Sequence, residues 1–123
     1  MIEYTVKVTD EKTEWYFEGE RHRLDGPAVE HADGTKSWWV EGKRHRTDGP
    51  AIEHVDGDKE WWVEGERHRT DGPAIEWSDG FKSWWVNGKE LSEAEFNSLG
   101  NVKELSVKEI EALLGYSIKV VKG

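Results

Sequence analysis

Apolar and polar side chains alternate over the first eight residues of the chain. The apolar members are Ile2, Tyr4, Val6 and Val8, and a charged or polar residue separates each from the next. A period of two residues is the pattern of a half-buried β-strand. Residues 1–8 are therefore predicted to form a strand that leads the chain.

From residue 15 onward the aromatic pattern repeats every 23 residues, with two successive aromatic positions in each unit. The first column of aromatics is Trp15, Trp38, Trp61 and Trp84, and the second column is Tyr16, Trp39, Trp62 and Trp85. A fixed period of about 20 to 50 residues is typical of stacked supersecondary units. Residues 1–90 are therefore predicted to be a repeat array, with an N-terminal strand, three full units and a partial fourth.

Each unit is predicted to be one β-hairpin. Residues 59–63 are rich in aromatic and β-branched side chains, and residues 73–78 form a second extended segment that begins with a proline. The segment 64–72 between them is predicted as the longer loop of the unit. The predicted fold class is mainly β, a single-layer antiparallel meander of stacked β-hairpins.

The connections between units and the two faces of the sheet follow from the same pattern. Asp-Gly pairs such as Asp56-Gly57 are predicted to be tight turns between units, because both residue types tolerate positive φ. Alternation along a strand places Trp61 and Trp62 on opposite faces. One aromatic column is expected to form the core, and the other is expected to need a cover.

Helix signals replace the repeat pattern after residue 90. Ser92 and Glu95 have the spacing of a capping box, and the helix that they begin is predicted to end near Gly100. A second capping box at residues 106–109 begins another predicted helix, and residues 116–121 are predicted to form a closing strand. Residues 91–123 are thus expected to be a helix-helix-strand cap in the same domain.

The composition limits the classes of partner. The 123 residues carry a formal net charge of −9 and include no cysteine. The charge disfavours direct binding to DNA, RNA or an anionic membrane, and the lack of thiols fits a reducing compartment. We find no apolar run of about 18 residues and no leader-like segment. We therefore expect a soluble, cytoplasmic protein that needs no cofactor.

The string Trp-x-x-Gly-Lys-Arg-His at residues 39–45, followed by an extended stretch and an Asp-Gly pair, resembles the MORN repeat. The resemblance covers roughly residues 13–90 and implies β-hairpin units of similar length. The variant His-Arg-x-Asp-Gly-Pro-Ala, together with the segment 113–120, is similar to repeat proteins of tailed phages and large DNA viruses. MORN proteins are scaffolds and adaptors, so the resemblance implies a binding surface without chemistry.

The motif His-Arg-x-Asp-Gly-Pro-Ala recurs in the first three units. Stacked hairpins would align these motifs along one edge of the sheet. In one interpretation the Arg and His side chains bind a phosphate or carboxylate, because guanidinium is a bidentate donor. In the favoured interpretation the motif is structural: Asp caps backbone N–H groups, Arg pairs with a nearby carboxylate, and Gly-Pro sets the turn.

The second aromatic column leaves a similar choice open. Its rings either stack on nucleotide bases or form a cross-strand ladder that holds the thin sheet together. A second aromatic face on a single layer must be covered by the tail, by a second copy in a homodimer, or by a partner. The candidate ligand-binding or partner-binding residues are Arg23, His45, Arg46, His68, Arg69, Trp39, Trp62 and Trp85.

Neither metal binding nor catalysis is predicted. His22, His45 and His68 are one unit apart, which is about 10 Å in a sheet with two strands per unit, and this is too far to share one ion. Glu30 and its two repeat equivalents form a carboxylate column. No nucleophile and no asymmetric partner accompanies that column, so acid-base catalysis is not expected.

Three functions are compatible with these features. The first is a non-catalytic protein-interaction module that, in a phage, would bind or inhibit a host defence protein. The alternative is a sponge for a nucleotide or another small anion, held between Trp and Arg. The third is an acidic mimic of nucleic acid. Because Trp and Arg are the residue types most enriched at protein-interaction hot spots, the first is preferred.

Overall fold

The structure, a computed structural model, describes residues 3–99 and is mainly β. The strands are β1 (Thr5–Val8), β2 (Lys12–Phe17), β3 (Glu20–Arg21), β4 (Val29–His31), β5 (Lys36–Ser37), β6 (Trp39–Val40), β7 (Lys43–Arg44), β8 (Ile52–Glu53), β9 (Lys59–Glu60), β10 (Trp62–Val63), β11 (Glu66–Arg67), β12 (Ile75–Glu76), β13 (Lys82–Val86) and β14 (Lys89–Leu91), and they precede the helix α1 (Glu93–Leu99).

The main sheet is an antiparallel meander with the order β1-β2-β4-β5-β8-β9-β12-β13-β14. Strand β3 pairs with β2, while β6 pairs with β7 and β10 with β11 as separate hairpins. Neighbours in sequence are therefore neighbours in space, as expected of a repeat array. The predicted fold class is confirmed.

The long strand of each unit takes part in two sets of pairings. In the second unit this strand spans residues 36–40, and Trp38 divides it into β5 and β6. Trp38 donates its N–H to Ala51 O at 2.7 Å and accepts from His45 N–H at 3.0 Å. Adjacent hairpins are also joined, since Gly65 N–H donates to Arg44 O at 2.9 Å. These bonds connect the short hairpins to the main sheet and to each other.

Two kinds of turn alternate along the array. Glu41 and Gly42, which connect β6 to β7, have φ values of 51° and 77°, as a two-residue type I′ turn requires. The predicted Asp-Gly turn is present, but only its glycine has positive φ, 102° at Gly57. Asp56 does not adopt the positive φ that its residue type tolerates. The segment 64–72, predicted as a loop, instead contains a type I′ turn and the strand β11.

The buried core of the array is thin. Ala28, Ala51 and Ala74 are fully buried, and the aliphatic residue that follows each of them is nearly so. The tryptophans of both columns are only half-buried, so the expectation that one column would form the core is wrong. A single layer has no second sheet to enclose its rings. Arginine side chains of the same array lie against these rings instead, except at Trp84, whose ring contacts that of Phe96.

The N-terminal strand is shorter and more exposed than predicted. It spans Thr5–Val8, and all four of its residues are exposed. The expectation of a half-buried strand is wrong here because β1 lies at the edge of a single layer. It pairs with β2 through all four residues, and Tyr4, just before the strand, has its ring centroid 5.6 Å from that of Trp15 in an edge-on arrangement.

The predicted capping box is confirmed at the start of α1. Ser92 N–H donates to Glu95 Oε1 at 2.9 Å, and Glu95 N–H donates to Ser92 Oγ at 3.1 Å. Phe96 and Leu99 pack against the buried pair Val86 and Leu91. The helix predicted from residue 106 and the strand predicted at 116–121 lie outside the described residues. Within residues 3–99 no helix has the length and apolarity needed to cross a membrane.

Candidate functional site

Each loop of the first three units is organised around one arginine. In the second unit, Arg46 Nε donates to Asp48 Oδ1 at 2.9 Å and Nη1 donates to Pro50 O at 3.0 Å. The guanidinium carbon lies 3.8 Å from the ring centroid of Trp38. A Cβ atom on Gly49 would stand 2.9 Å from that carbon, so a larger residue at this position would displace the guanidinium from its contacts. The motif therefore forms an internally bonded loop.

The same contacts recur in the flanking units. Arg23 and Arg69 bond Asp25 and Asp71 at 3.0 and 2.7 Å. The hydrogen bond from Arg69 holds the pKa of Asp71 below its ordinary value, and the equivalent bond from Arg46 does the same for Asp48. These contacts agree with the structural interpretation in one respect: each loop arginine pairs with a carboxylate of its own loop.

Successive loops enclose two equivalent clefts. The first has a volume of about 580 Å³ and the second about 610 Å³. The first lies between the loops of the first and second units, and the second lies between those of the second and third units. Five of the predicted site residues line these clefts: Arg23, His45 and Arg46 line the first, and Arg46, His68 and Arg69 line the second.

The loop histidines join each unit to the next. His45 Nδ1 accepts a hydrogen bond from Glu64 N–H at 3.0 Å, and His68 Nδ1 accepts one from Asn87 N–H at 2.9 Å. An accepting Nδ1 requires the unprotonated nitrogen. Burial lowers the pKa of His68, which favours the same neutral form. Among residues 3–99 no group of three or more His, Cys, Asp or Glu could hold a metal ion.

Arginines cover the second aromatic column from both sides. Trp39 lies between Arg21 and Arg44, whose guanidinium carbons are each 5.1 Å from the ring centroid. Trp62 lies between Arg44 and Arg67, at 5.2 and 5.0 Å. Such distances are within the range of cation–π attraction. Within the described residues, part of the cover of this column is therefore supplied by arginines of the array itself.

The column differs at its two ends. Trp85 has Arg67 on one side, at 5.0 Å, but its cross-strand partner is Glu90, where earlier units carry arginine. At the other end, Lys7 Nζ lies 4.8 Å from the ring centroid of Tyr16. The alternation of cation and ring thus ends at Trp85.

The polar atom of each second-column ring is satisfied by the residue two positions earlier. Trp39 Nε1 donates to Ser37 Oγ at 2.8 Å, and Trp62 Nε1 donates to Glu60 Oε1 at 3.2 Å. Serine and glutamate alternate at this position: the four residues are Glu14, Ser37, Glu60 and Ser83. The array is therefore less uniform in charge than its aromatic period suggests.

The acidic column of the sheet alternates with lysine. Lys36 pairs across strands with Glu30 and with Glu53, and Lys59 pairs with Glu53 and with Glu76. Opposite charges that face one another across strands are mutually stabilising. This face consequently does not present an unbroken row of negative charge.

The structure separates the predicted site residues into two groups. The five loop residues line the clefts with the first aromatic column, whereas Trp39, Trp62 and Trp85 lie on the opposite face. Sequence reasoning missed the arginines of that face, Arg21, Arg44 and Arg67. The signal was the spacing Trp-x-x-Gly-x-Arg, because a two-residue turn makes Trp39 and Arg44 direct cross-strand partners.

Comparison with protein-family models, with curated proteins and with solved structures finds no match to this chain.

Proposed function

We propose that this chain is a non-catalytic protein-interaction module that binds a partner protein at the two loop clefts. The observation that carries the proposal is the repetition of one cleft in consecutive units, about 580 and 610 Å³ in volume. Two adjacent copies of one cleft suit a polypeptide that reaches both better than a single small molecule. If the resemblance to phage proteins holds, the partner is a host protein.

The chemistry of the clefts supports this proposal. Trp38 and Arg46 meet in the first cleft, and Trp61 and Arg69 meet in the second. Tryptophan and arginine are the residue types most enriched at interaction hot spots. Because each arginine is already held by its own loop, little side-chain entropy is lost when a partner binds.

In the alternative function the chain sequesters a nucleotide whose base stacks on a second-column ring. The arginines beside these rings limit the positions at which a base could stack. Trp39 and Trp62 each have two guanidinium groups within 5.2 Å of the ring centroid, and these groups would compete with a stacking base. Trp85 differs from Trp39 and Trp62, because it has one arginine neighbour, Arg67, and its cross-strand partner is Glu90. The proposal of a nucleic-acid mimic is weakened by the alternation of Glu53 with lysine on both sides.

The test uses a cleft-filling substitution in the full chain. Thr47 is exposed and lines both clefts, so Thr47→Arg should obstruct both without removing a core contact. The matched control is Val55→Arg, at a position that is 62% exposed in an Asp-Gly turn. A partner is first isolated from host lysate and purified, and its affinity for each variant is then measured by calorimetry.

We expect Thr47→Arg to weaken binding by about tenfold or more, which is about 1.4 kcal/mol, and Val55→Arg to leave binding unchanged. Equal affinity of the two variants would contradict the proposal. A panel of nucleotides followed by tryptophan fluorescence tests the alternative. Saturable quenching that is lost in Trp85→Ala but kept in Trp62→Ala would favour the nucleotide sponge.

A further inference from the structure

The residue two positions before each second-column ring is not the same in all four units. Residue 14 is glutamate, 37 is serine, 60 is glutamate and 83 is serine. The facing cation also varies, being arginine in the first three units and Glu90 in the fourth. A carboxylate and a guanidinium occur together in the first and third units. Only the second unit has the guanidinium, Arg44, without the carboxylate.

The first unit shows how a carboxylate fits this place. Glu14 Oε2 accepts from Tyr16 Oη–H at 2.7 Å, and from Arg21 Nε and Nη2 at 3.2 and 3.0 Å. The hydrogen bond from Tyr16 and the contacts with Arg21 lower the pKa of Glu14, although the residue is only 7% exposed. The site therefore stabilises the ionised form.

The third unit holds a second carboxylate in a related set of contacts. Glu60 Oε1 accepts from Trp62 Nε1 at 3.2 Å and lies 3.7 Å from Arg67 Nε. Its other oxygen, Oε2, lies 2.8 Å from His54 Nε2. The contacts at this position thus come from one indole, one guanidinium and one imidazole.

Arg44 has the same surroundings but no anion. It is half-buried between Trp39 and Trp62, with its guanidinium carbon 5.1 and 5.2 Å from their ring centroids. Its side chain forms no hydrogen bond and no ion pair with any residue from 3 to 99. The Nε atoms of Arg44 and Arg67 are both enclosed without a hydrogen-bond acceptor, but Arg67 has the carboxylate of Glu60 at ion-pair distance, 3.7 Å, and Arg44 has none. A partly buried donor without a partner is costly, so an anion supplied from outside would be stabilising.

The imidazole and the indole that contact Glu60 in the third unit also have equivalents in the second unit. His31 and Trp39 stand 23 residues before His54 and Trp62. His31 is exposed, and Trp39 Nε1 donates at present to Ser37 Oγ. The second unit therefore carries the imidazole, indole and guanidinium of a carboxylate site, with the short side chain of serine where the glutamate would be.

We propose that Arg44, with Trp39 and His31, is a binding site for a carboxylate that does not belong to this array. The chemistry is assigned to a carboxylate because the first and third units both hold one at this position. Contacts with the rings of Trp39 and Trp62 restrict the orientation of the planar guanidinium, which lowers the entropy cost of binding an anion. The site lies on the face opposite the loop clefts, so it is independent of the function proposed above.

The probe is acetate, followed on the full chain by nuclear magnetic resonance of the arginine Nε–H and tryptophan Nε1–H groups. We expect saturable shifts at Arg44 and Trp39, and none at Arg21, whose carboxylate partner is already present. Sodium chloride at matched ionic strength is the control for screening. Inorganic phosphate is titrated in parallel, and tighter binding of phosphate would overturn the assignment to a carboxylate.

Two substitutions interchange the serine of the second unit and the glutamate of the third, and Ser37→Ala serves as a control. Ser37→Glu supplies the missing carboxylate and should abolish the acetate-dependent shifts, whereas Ser37→Ala should keep them. Glu60→Ser should create a second set of acetate-dependent shifts at Arg67 and Trp62. Unfolding curves of each variant establish that it is folded.

The proposal is overturned if acetate gives no saturable shift at Arg44, or if Ser37→Glu leaves that shift intact. It is likewise overturned if Arg21 responds as strongly as Arg44. None of these outcomes bears on the loop clefts, because Thr47→Arg obstructs only the opposite face. The two proposals can therefore fail separately.

Discussion

His68 accepts at Nδ1 a hydrogen bond of 2.9 Å from the backbone N–H of Asn87, which lies 19 residues further along the chain. The bond joins the loop of one unit to the type I′ turn of the next. Together with the backbone bonds between adjacent hairpins, it makes each unit depend on its neighbour. Substitutions or protonation that break these hydrogen bonds between units should therefore lower the stability of the array.

The first prediction concerns pH. Burial places the pKa of folded His68 below its ordinary value of 6.5, so the unfolded chain takes up a proton at a higher pH than the folded chain does. As pH falls below 6.5, the free energy of unfolding should decrease until the pH reaches the folded pKa. Urea unfolding between pH 7.5 and 5.5 measures this loss. The His68→Gln variant should lose less stability over the same range, and an equal loss would contradict the prediction.

The second prediction compares two tryptophans of one column. Trp62 has cation–π contacts with two arginines, Arg44 and Arg67, whereas Trp85 has one, with Arg67. Each cation–π contact contributes about 0.5 to 1 kcal/mol at exposed sites. Trp62→Ala should therefore lower the free energy of unfolding by about 0.5 to 1 kcal/mol more than Trp85→Ala does. Chemical denaturation of both variants measures this difference. A larger loss for Trp85→Ala would contradict a stabilising role for the cation–π contacts.

The third prediction tests the coupling of Arg46 to Gly49. The added Cβ of Gly49→Ala would meet the guanidinium carbon at 2.9 Å, so the variant should lose about 1 to 3 kcal/mol. In an Arg46→Ala background the same substitution should cost much less, because the atom that it meets is gone. A double-mutant cycle measures this difference. Additive losses would show that the glycine is required for another reason.

The fourth prediction concerns the type I′ turns. Glu64 holds a φ of 49°, which is strained for a side chain of its kind, whereas Asn87 occupies the equivalent place in the last turn. Glu64→Asn should raise the free energy of unfolding by about 0.5 to 1 kcal/mol. The matched control is Glu66→Asn, outside the positive-φ position, which should give no gain. A gain of the same size at Glu66 would assign the effect to charge.

Much of the fold could be predicted because the sequence repeats. The period of 23 residues predicts the meander, and the spacing of Ser92 and Glu95 predicts the start of α1. The position of the two-residue type I′ turn in each unit could not be predicted from the sequence. Glutamate is uncommon at positive φ, so the sequence around Glu41 does not indicate a turn. The Asp-Gly pairs, which do indicate turns, lie elsewhere in the unit.

The candidate site was only partly predictable. The recurring motif identifies the residues of the clefts, because their local bonds lie within a few positions of Arg46. The cover of the second column depends on contacts between units, such as that of Arg44 with both Trp39 and Trp62. Such contacts join residues of different units, and a column of aromatic positions does not show what lies between them.

The sequence by itself determined the unit, its length, the alternation of the two aromatic columns and the capped helix after them, because these depend on local periodicity and hydrogen bonds over a few residues. Only the tertiary structure decided what covers the rings and which cation lacks a carboxylate. Arg44 receives its surroundings from two units, and a relationship between units exists only once the hairpins are stacked.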